Sequence, residues 1–239
     1  MVNFFNDNKF FLLKEDINNL LFQRNDLFSS RQKFLRKCFG RFLFTKFFIF
    51  FFKKKNISYL YYRIVDKELS LIRPFIKKAK KNKNILSIGC GLGGLEVLLQ
   101  KTILKNSKFF LFERNFTSSK VVYGYDLRNR EAYNSIKSTK LFVQNNSANS
   151  SKFNLFDIDT DKLPIEKFDI VVSLLSLDYH YPFDLYYKYL KKNSHSSTIF
   201  IFDTVRAEHF KKIFKVVKFI SSDKKNIHSS SRLFCKNFR

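Results

Sequence analysis

The residues best placed to do chemistry begin in Asn84 to Gln100, NILSIGCGLGGLEVLLQ, where four of the chain's six glycines (Gly89, Gly91, Gly93 and Gly94) fall within six positions. Glycine reaches positive φ without steric cost and lets a ligand approach the backbone. An apolar run precedes the glycines, and Leu95, Leu98, Leu99 and Ile103 recur at helical spacing after them. This order of strand, tight turn and helix is the one a nucleotide-binding βα unit requires, with free N–H groups where the helix opens. Glu113 follows Gly93 by twenty residues, at the end of the apolar run Phe109 to Phe112. At that spacing a carboxylate on the tip of the second strand can accept hydrogen bonds from both ribose hydroxyls of a nucleoside. The other reading of Glu113 is a plain surface acid.

These groups need a sheet to hold them, and the remaining sequence supplies its strands. Lys152 to Phe156, Phe168 to Leu175 and Thr198 to Phe202 read as three further strands, separated by loops and helical segments. Strands apolar on both faces, alternating with helices, predict a parallel sheet covered on both sides. Phe214 to Ile220 and Arg232 to Lys236, joined by a polar loop, predict a closing antiparallel hairpin. Ile57 to Lys80 reads as a lead-in helix ending near Pro74, and residues 77–83 as a charged connector. Tyr123 to Phe142 reads as a loop followed by a helix. The division is therefore a 1–55 extension, helical or partly disordered, and a 56–239 domain whose first part, 56–83, is the lead-in helix and connector. The first thirty residues show no clear period.

The chain has 239 residues, enough for one α/β domain and an extension. Cys38, Cys90 and Cys235 are too widely spaced for a disulfide framework or a zinc pattern, which suits a reducing cytoplasm. The opening residues carry none of the marks of a signal peptide. The net charge of +25 favours polyanions or an anionic membrane surface. The composition, rich in Phe, Lys, Asn and Ile, is equally what an AT-rich genome writes into neutral surface positions. Seventeen Lys or Arg lie between Arg31 and Lys83, against Asp66 and Glu68 alone. Among them, Phe42 to Phe52 is an aromatic block too short to span a bilayer as a helix. With its flanking lysines, Phe42–Lys55 could lie in an anionic membrane interface; its alternative is a helix packed on the domain.

ILSIGCGLGG, FFLFERN and FDIDTDKLPIEKFDIVVS together resemble the first, second and third-to-fourth strand motifs of class I S-adenosylmethionine-dependent methyltransferases. The match runs from about Ile57 to the C-terminus. YGYDLRNREAYNS and SLLSLDYHYPFDLYYKYL resemble, more narrowly, bacterial sugar O-methyltransferases. The resemblance implies a Rossmann-like α/β fold: a mostly parallel sheet, a closing antiparallel C-terminal hairpin and helices on both faces. It implies S-adenosyl-L-methionine as cofactor, with Ser87, Gly89, Cys90, Gly91, Gly93, Glu113, Arg114, Asp159 and Ser173 around it. Asp159, five residues before Pro164, stands where the family often faces the adenine. Ser87 departs from the pattern: the family usually carries an acid there, and serine brings no charge to the methionine end. Since the turn also satisfies G-x-G-x-x-G, it does not by itself separate a methyl donor from a dinucleotide.

Methyl transfer from a sulfonium needs an aligned acceptor and exclusion of water. A hydroxyl acceptor also needs a general base or a metal within reach. Residues 173–182 lie beyond the fourth strand, at the carboxyl end of the sheet where open α/β folds bind ligands. His180 titrates near neutral pH and is the candidate base. Asp178 could orient it, act as base itself or join a cation site. The alternative for His180 is a histidine packed among Tyr179, Tyr181 and Phe183. No metal site is expected. The expectation is a cytoplasmic methyltransferase, peripheral on the inner membrane face, that methylates a hydroxyl of a small molecule or glycan in surface-polysaccharide assembly. Two other readings stand beside it: an RNA methyltransferase using the basic arm, and a non-catalytic binding protein descended from such enzymes.

Overall fold

A computed structural model describes residues 9–48, 53–77, 83–118, 132–178, 182–223 and 230–239. Its centre is one sheet of seven strands: β1 (Asn84–Ile88), β2 (Lys108–Glu113), β3 (Phe153–Asp157), β4 (Phe168–Ser173), β5 (Ser194–Thr204), β6 (Phe214–Asp223) and β7 (Ser230–Phe238). Their order is β3-β2-β1-β4-β5-β7-β6. β1 to β5 pair in parallel, and β7 runs antiparallel to both β5 and β6. Six co-directional strands thus keep the doubly wound order 3-2-1-4-5-6, with one reversed strand wedged between the last two. That is the Rossmann-like methyltransferase sheet, with its closing antiparallel hairpin.

Each central strand alternates between two cores, because successive side chains leave opposite faces. Ile85, Phe109, Leu111, Ile170, Val172, Ile199 and Ile201 face one; Leu86, Ile88, Phe110, Phe112, Val171, Phe200 and Phe202 face the other. The first core is roofed by α1 (Lys14–Gln23), α4 (Lys54–Ile76), α5 (Gly94–Thr102) and α6 (Ile136–Asn146). The second is roofed by α7 (Asp184–Lys192) and α8 (Ala207–Ile213). Phenylalanine is the most frequent residue of the second core: Phe183, Phe200, Phe202, Phe210 and Phe214 are fully buried, with ring centroids 5.0–6.5 Å apart in mutual contacts. Tilted and edge-on aromatic pairs of this kind add specific attraction to the area they bury.

The N-terminal residues belong to the first core. Phe10, Leu12, Ile17, Leu20, Leu21, Leu27, Phe28 and Phe44 are all buried in it. The backbone at Phe11 is held from both sides by Asn146 of α6, which accepts from Phe11 N at 2.7 Å and donates to Phe11 O at 2.8 Å. α2 (Ser30–Phe39) starts with a capping box between Ser29 and Gln32, and α3 (Arg41–Phe48) follows Gly40 at φ 76°. The first thirty residues show no clear period, yet α1 forms among them. α1 has a mixed polar and apolar pattern, and docking of its buried face, not its period, makes it helical. α4 also runs on to Ile76, past Pro74; a proline in the last turn removes one hydrogen bond without ending the helix. Part of the aromatic block, residues 49–52, lies outside the described residues, as do Tyr123 and Tyr125.

Candidate functional site

β1 ends at Ile88, and the chain turns through Gly89, Gly91 and Gly93 at φ 67°, 59° and 85° before α5 begins at Gly94. Only glycine takes such values without strain. Space is also short: a Cβ on Gly89 would lie 1.8 Å from Ser176 Oγ, and one on Gly94 would lie 2.5 Å from the Tyr61 hydroxyl. The turn is tied to the neighbouring strand, since Gly89 N donates to Phe112 O at 2.8 Å. The fold packs Ser176 against Gly89 and Tyr61 against Gly94 and leaves neither room for a Cβ.

Glu113 closes β2 next to this turn. Its Oε2 accepts from Gly91 N at 2.7 Å and its Oε1 from Arg114 N at 2.9 Å. Each carboxylate oxygen offers two lone pairs, so the group keeps acceptor capacity beyond these two bonds. Burial pushes the Glu113 carboxyl up to about 7, against the opposing pull of the two backbone N–H groups, Asn134 and Arg114. Asn134 braces the same turn by donating to Gly91 O at 2.7 Å and to Thr139 Oγ1 at 2.9 Å. Glu113 therefore faces the glycine turn.

The remaining sequence candidates divide. Arg114 and Asp159 come together beside Glu113, Nε to Oδ2 at 3.7 Å, where the loop after β3 passes the end of β2. The Cys90 thiol donates to Gly91 O at 3.4 Å, and burial pushes its pKa well up, so it is a packing group of the turn. Ser173 is engaged twice: its hydroxyl donates to Ile88 O at 2.7 Å and accepts from Leu177 N at 3.0 Å. It clamps β4 to the end of β1. Asp178 is wholly buried at φ 67°, accepting from Thr204 Oγ1 and from Arg206 Nε and Nη2. Both its oxygens are held, which makes it an anchor for the segment leading on from β4. His180, with Tyr179 and Tyr181, lies outside the described residues. Among the described residues no group of three or more His, Cys, Asp or Glu is placed to hold a metal ion.

Three side chains that sequence reasoning did not single out complete the site. Ser87 Oγ donates to Glu96 Oε1 at 2.5 Å, from β1 to the first turn of α5. Glu96 is 2% exposed, and burial pushes it up to about 7. Together with Arg24 and Glu68 it lines a cleft beneath the glycine turn that also takes in Tyr61, Ser87 and Gly89. Arg24 donates to Glu68 Oε1 at 2.8 Å and grips Asp26 with Nε and Nη2. The signal for Glu96 was present: it is the one acid in an otherwise apolar helical run. An acid in a first turn is, however, commonplace. Arg24 and Glu68 are 44 residues apart and meet only through the fold.

The residues present fit a nucleoside joined to a charged chain: a glycine-rich turn, a carboxylate with acceptor capacity left, and a polar cleft beside them. No family model and no curated protein matches the chain. Among solved structures it is similar to precorrin-6y C5,15-methyltransferase from Geobacter metallireducens, at 13% identity over 73% of this chain and 87% of that one, TM-score 0.43. It is similar to TrmN from Thermus thermophilus, at 13% identity over 70% of this chain and 47% of that one, TM-score 0.44. A cyclopropane-fatty-acyl-phospholipid synthase-like protein from Lactobacillus casei is 17% identical over 64% of this chain and 52% of that one, TM-score 0.43. The chain thus spans about half the length of the last two. Likeness at this level leaves the fold to the strand order itself and the function to the geometry of the site.

Proposed function

We propose that the protein is an S-adenosyl-L-methionine-dependent methyltransferase that methylates a hydroxyl group of a small molecule or glycan, with a sugar as the favoured acceptor class. The observation that carries the cofactor assignment is Glu113: a buried carboxylate at the end of β2, fastened to the backbone of a turn made of glycines. Its remaining acceptor capacity suits the paired hydroxyls of a ribose, and glycine is the residue that lets a ligand approach the backbone. Arg114 and Asp159 stand on the side of Glu113 where the base would lie. When bound, the cofactor supplies an activated methyl group on a sulfonium.

The chain's own part is to bind, align and deprotonate. Ser173 and Asp178 hold the segment after β4 against the sheet, one by its bond to Ile88 O and the other by its pair with Arg206. In this reading Asp178 is a positioning residue, and His180, two positions on, is the base that takes the acceptor's proton. The sugar acceptor rests on the likeness of residues 173–190 to sugar O-methyltransferases.

Titration calorimetry with S-adenosylhomocysteine tests the cofactor site. The wild-type chain is expected to bind, and Glu113→Ala to lose about 10- to 100-fold in affinity, the worth of hydrogen bonds to a charged group. A wild-type chain that takes up no S-adenosylhomocysteine overturns the proposal and leaves the non-catalytic reading.

A further inference from the structure

Gly91, in the middle of the glycine turn, is fixed through both its backbone groups. Its N–H donates to Glu113, and its O accepts from Asn134 Nδ2 at 2.7 Å and Thr139 Oγ1 at 2.8 Å. Asn134 is itself set by a short antiparallel neck that follows β2. There Thr117 pairs with Tyr133, Ser118 N donates to Ala132 O at 2.7 Å and Asn134 N to Phe116 O at 3.3 Å. Tyr133 is buried, and four residues of the N-terminal segment hold it. Gln23, the last residue of α1, donates to Tyr133 O at 2.7 Å. The Phe22 ring stacks on the Tyr133 ring at 5.9 Å and 17°, and Phe42 tilts against it at 6.2 Å. The Arg41 guanidinium lies 5.0 Å from the centre of the same ring. Gln23 reaches the turn as well, its Oε1 standing 2.9 Å from where a Cβ on Gly91 would be. A plain core aromatic would matter to folding alone. Tyr133 stands one residue from Asn134, so a shift of its ring moves the amide that holds Gly91 O.

We propose that Tyr133 is a positioning residue through which docking of the N-terminal segment sets the shape of the glycine turn, and with it the affinity for the cofactor. The inference rests on the cofactor reading above and deepens it with a regulatory input. Tyr133 acts on Gly91 through Asn134 and Gln23, not on the ligand. Gly91 stands at φ 59°, one of several backbone conformations that glycine reaches at little cost. Its contacts select that one, and two of them come through Tyr133 or Gln23. Lifting the end of α1 and the start of α3 therefore loosens the turn. The coupling is reciprocal: a docked segment tightens the cofactor, and bound cofactor holds the segment down.

Calorimetry and amide hydrogen exchange on the full chain, with S-adenosylhomocysteine as probe, test it. Tyr133→Ala is expected to weaken binding by about 10-fold. Arg41→Ala should weaken it by about 2- to 5-fold, the worth of one cation–π contact near the surface. The double variant should bind no more weakly than Tyr133→Ala alone, because Arg41 acts through that ring. Tyr133→Phe keeps the ring and should bind as the wild type does. Exchange reads the reciprocal effect, which a merely structural tyrosine would not produce. The probe should slow exchange across α3 in the wild type and leave it unchanged in Tyr133→Ala. Wild-type affinity in both single variants overturns the coupling while the cofactor site stands. So does full additivity in the double variant, or exchange in α3 that is indifferent to bound probe. If Tyr133→Ala fails to fold, Arg41→Ala and the wild-type exchange decide. A wild-type chain that takes up no S-adenosylhomocysteine sinks the cofactor reading and this inference with it.

Discussion

Glu96 and Glu113 are carboxyls that burial makes reluctant to ionise, both standing at about 7 instead of the usual 4.5. In the unfolded chain each ionises near 4.5, so between that pH and about 7 the folded state holds more protons. The stability that each protonated carboxyl contributes is fully present below about pH 4.5 and is lost as pH rises through about 7. Taken alone, each loss amounts to roughly 3 kcal/mol. Thermal melts of the ligand-free protein should therefore fall between pH 5 and pH 7.5, and Glu96→Gln should flatten that fall. The sequence displayed Glu113 through its distance from the glycines. It concealed Glu96, because nothing in the linear order says that Ser87 and the third residue of the next helix share a bond.

At the scale of elements, strand positions were legible because apolar runs on a two-faced sheet carry a strong signal. β1, β2 and β4 lie within a residue or two of their expected places, and the β6–β7 hairpin closes the sheet as expected. β5 extends further than its apolar part, since Ser194 to Ser197 are strand by pairing, not by hydrophobicity. Close packing between α4 and α5 depends on one hydrogen atom's worth of space at Gly94. Gly94→Ala should drive its methyl into the Tyr61 ring, 2.8 Å from Cζ, and cost about 1–3 kcal/mol in chemical denaturation. Combining it with Tyr61→Leu should cost less than the sum of the two single changes. The anchor after β4 makes a second prediction. Arg206→Met leaves the fully buried Asp178 carboxylate without its guanidinium, and the equilibrium unfolding free energy should drop by about 3 kcal/mol or more. A catalytic acid free of structural duty would show no such loss.

At the scale of the whole molecule, the described residues of the segment read from sequence as an extension contribute buried side chains to the first core. Phe44 and Thr45 of α3 are buried, while Leu43, Lys46 and Phe47 face out, so part of the aromatic block serves the core and part lies on the surface. Aromatic residues without a clear period gave no sign of which side they would take; that choice is made by the tertiary contacts. Phe34 and Phe39 of α2 are likewise exposed, among Arg31, Lys33 and Lys37. No described helix is long and apolar enough to cross a membrane. Contact with an anionic membrane surface through this segment remains a proposal. It predicts that the full chain sediments with anionic vesicles at low salt and is released as salt rises. Leu43→Asp with Phe47→Asp should abolish the pelleting, and an unchanged pellet would refute the proposal.

The double grip of Asn146 on the backbone of Phe11 has a temporal side. A ribosome makes Phe11 some 135 residues before its partner, so this clasp cannot close until α6 has emerged, when only β1 and β2 of the strands have been made. Until then Phe10, which in the finished protein packs against Phe142 of the same helix, lacks that cover.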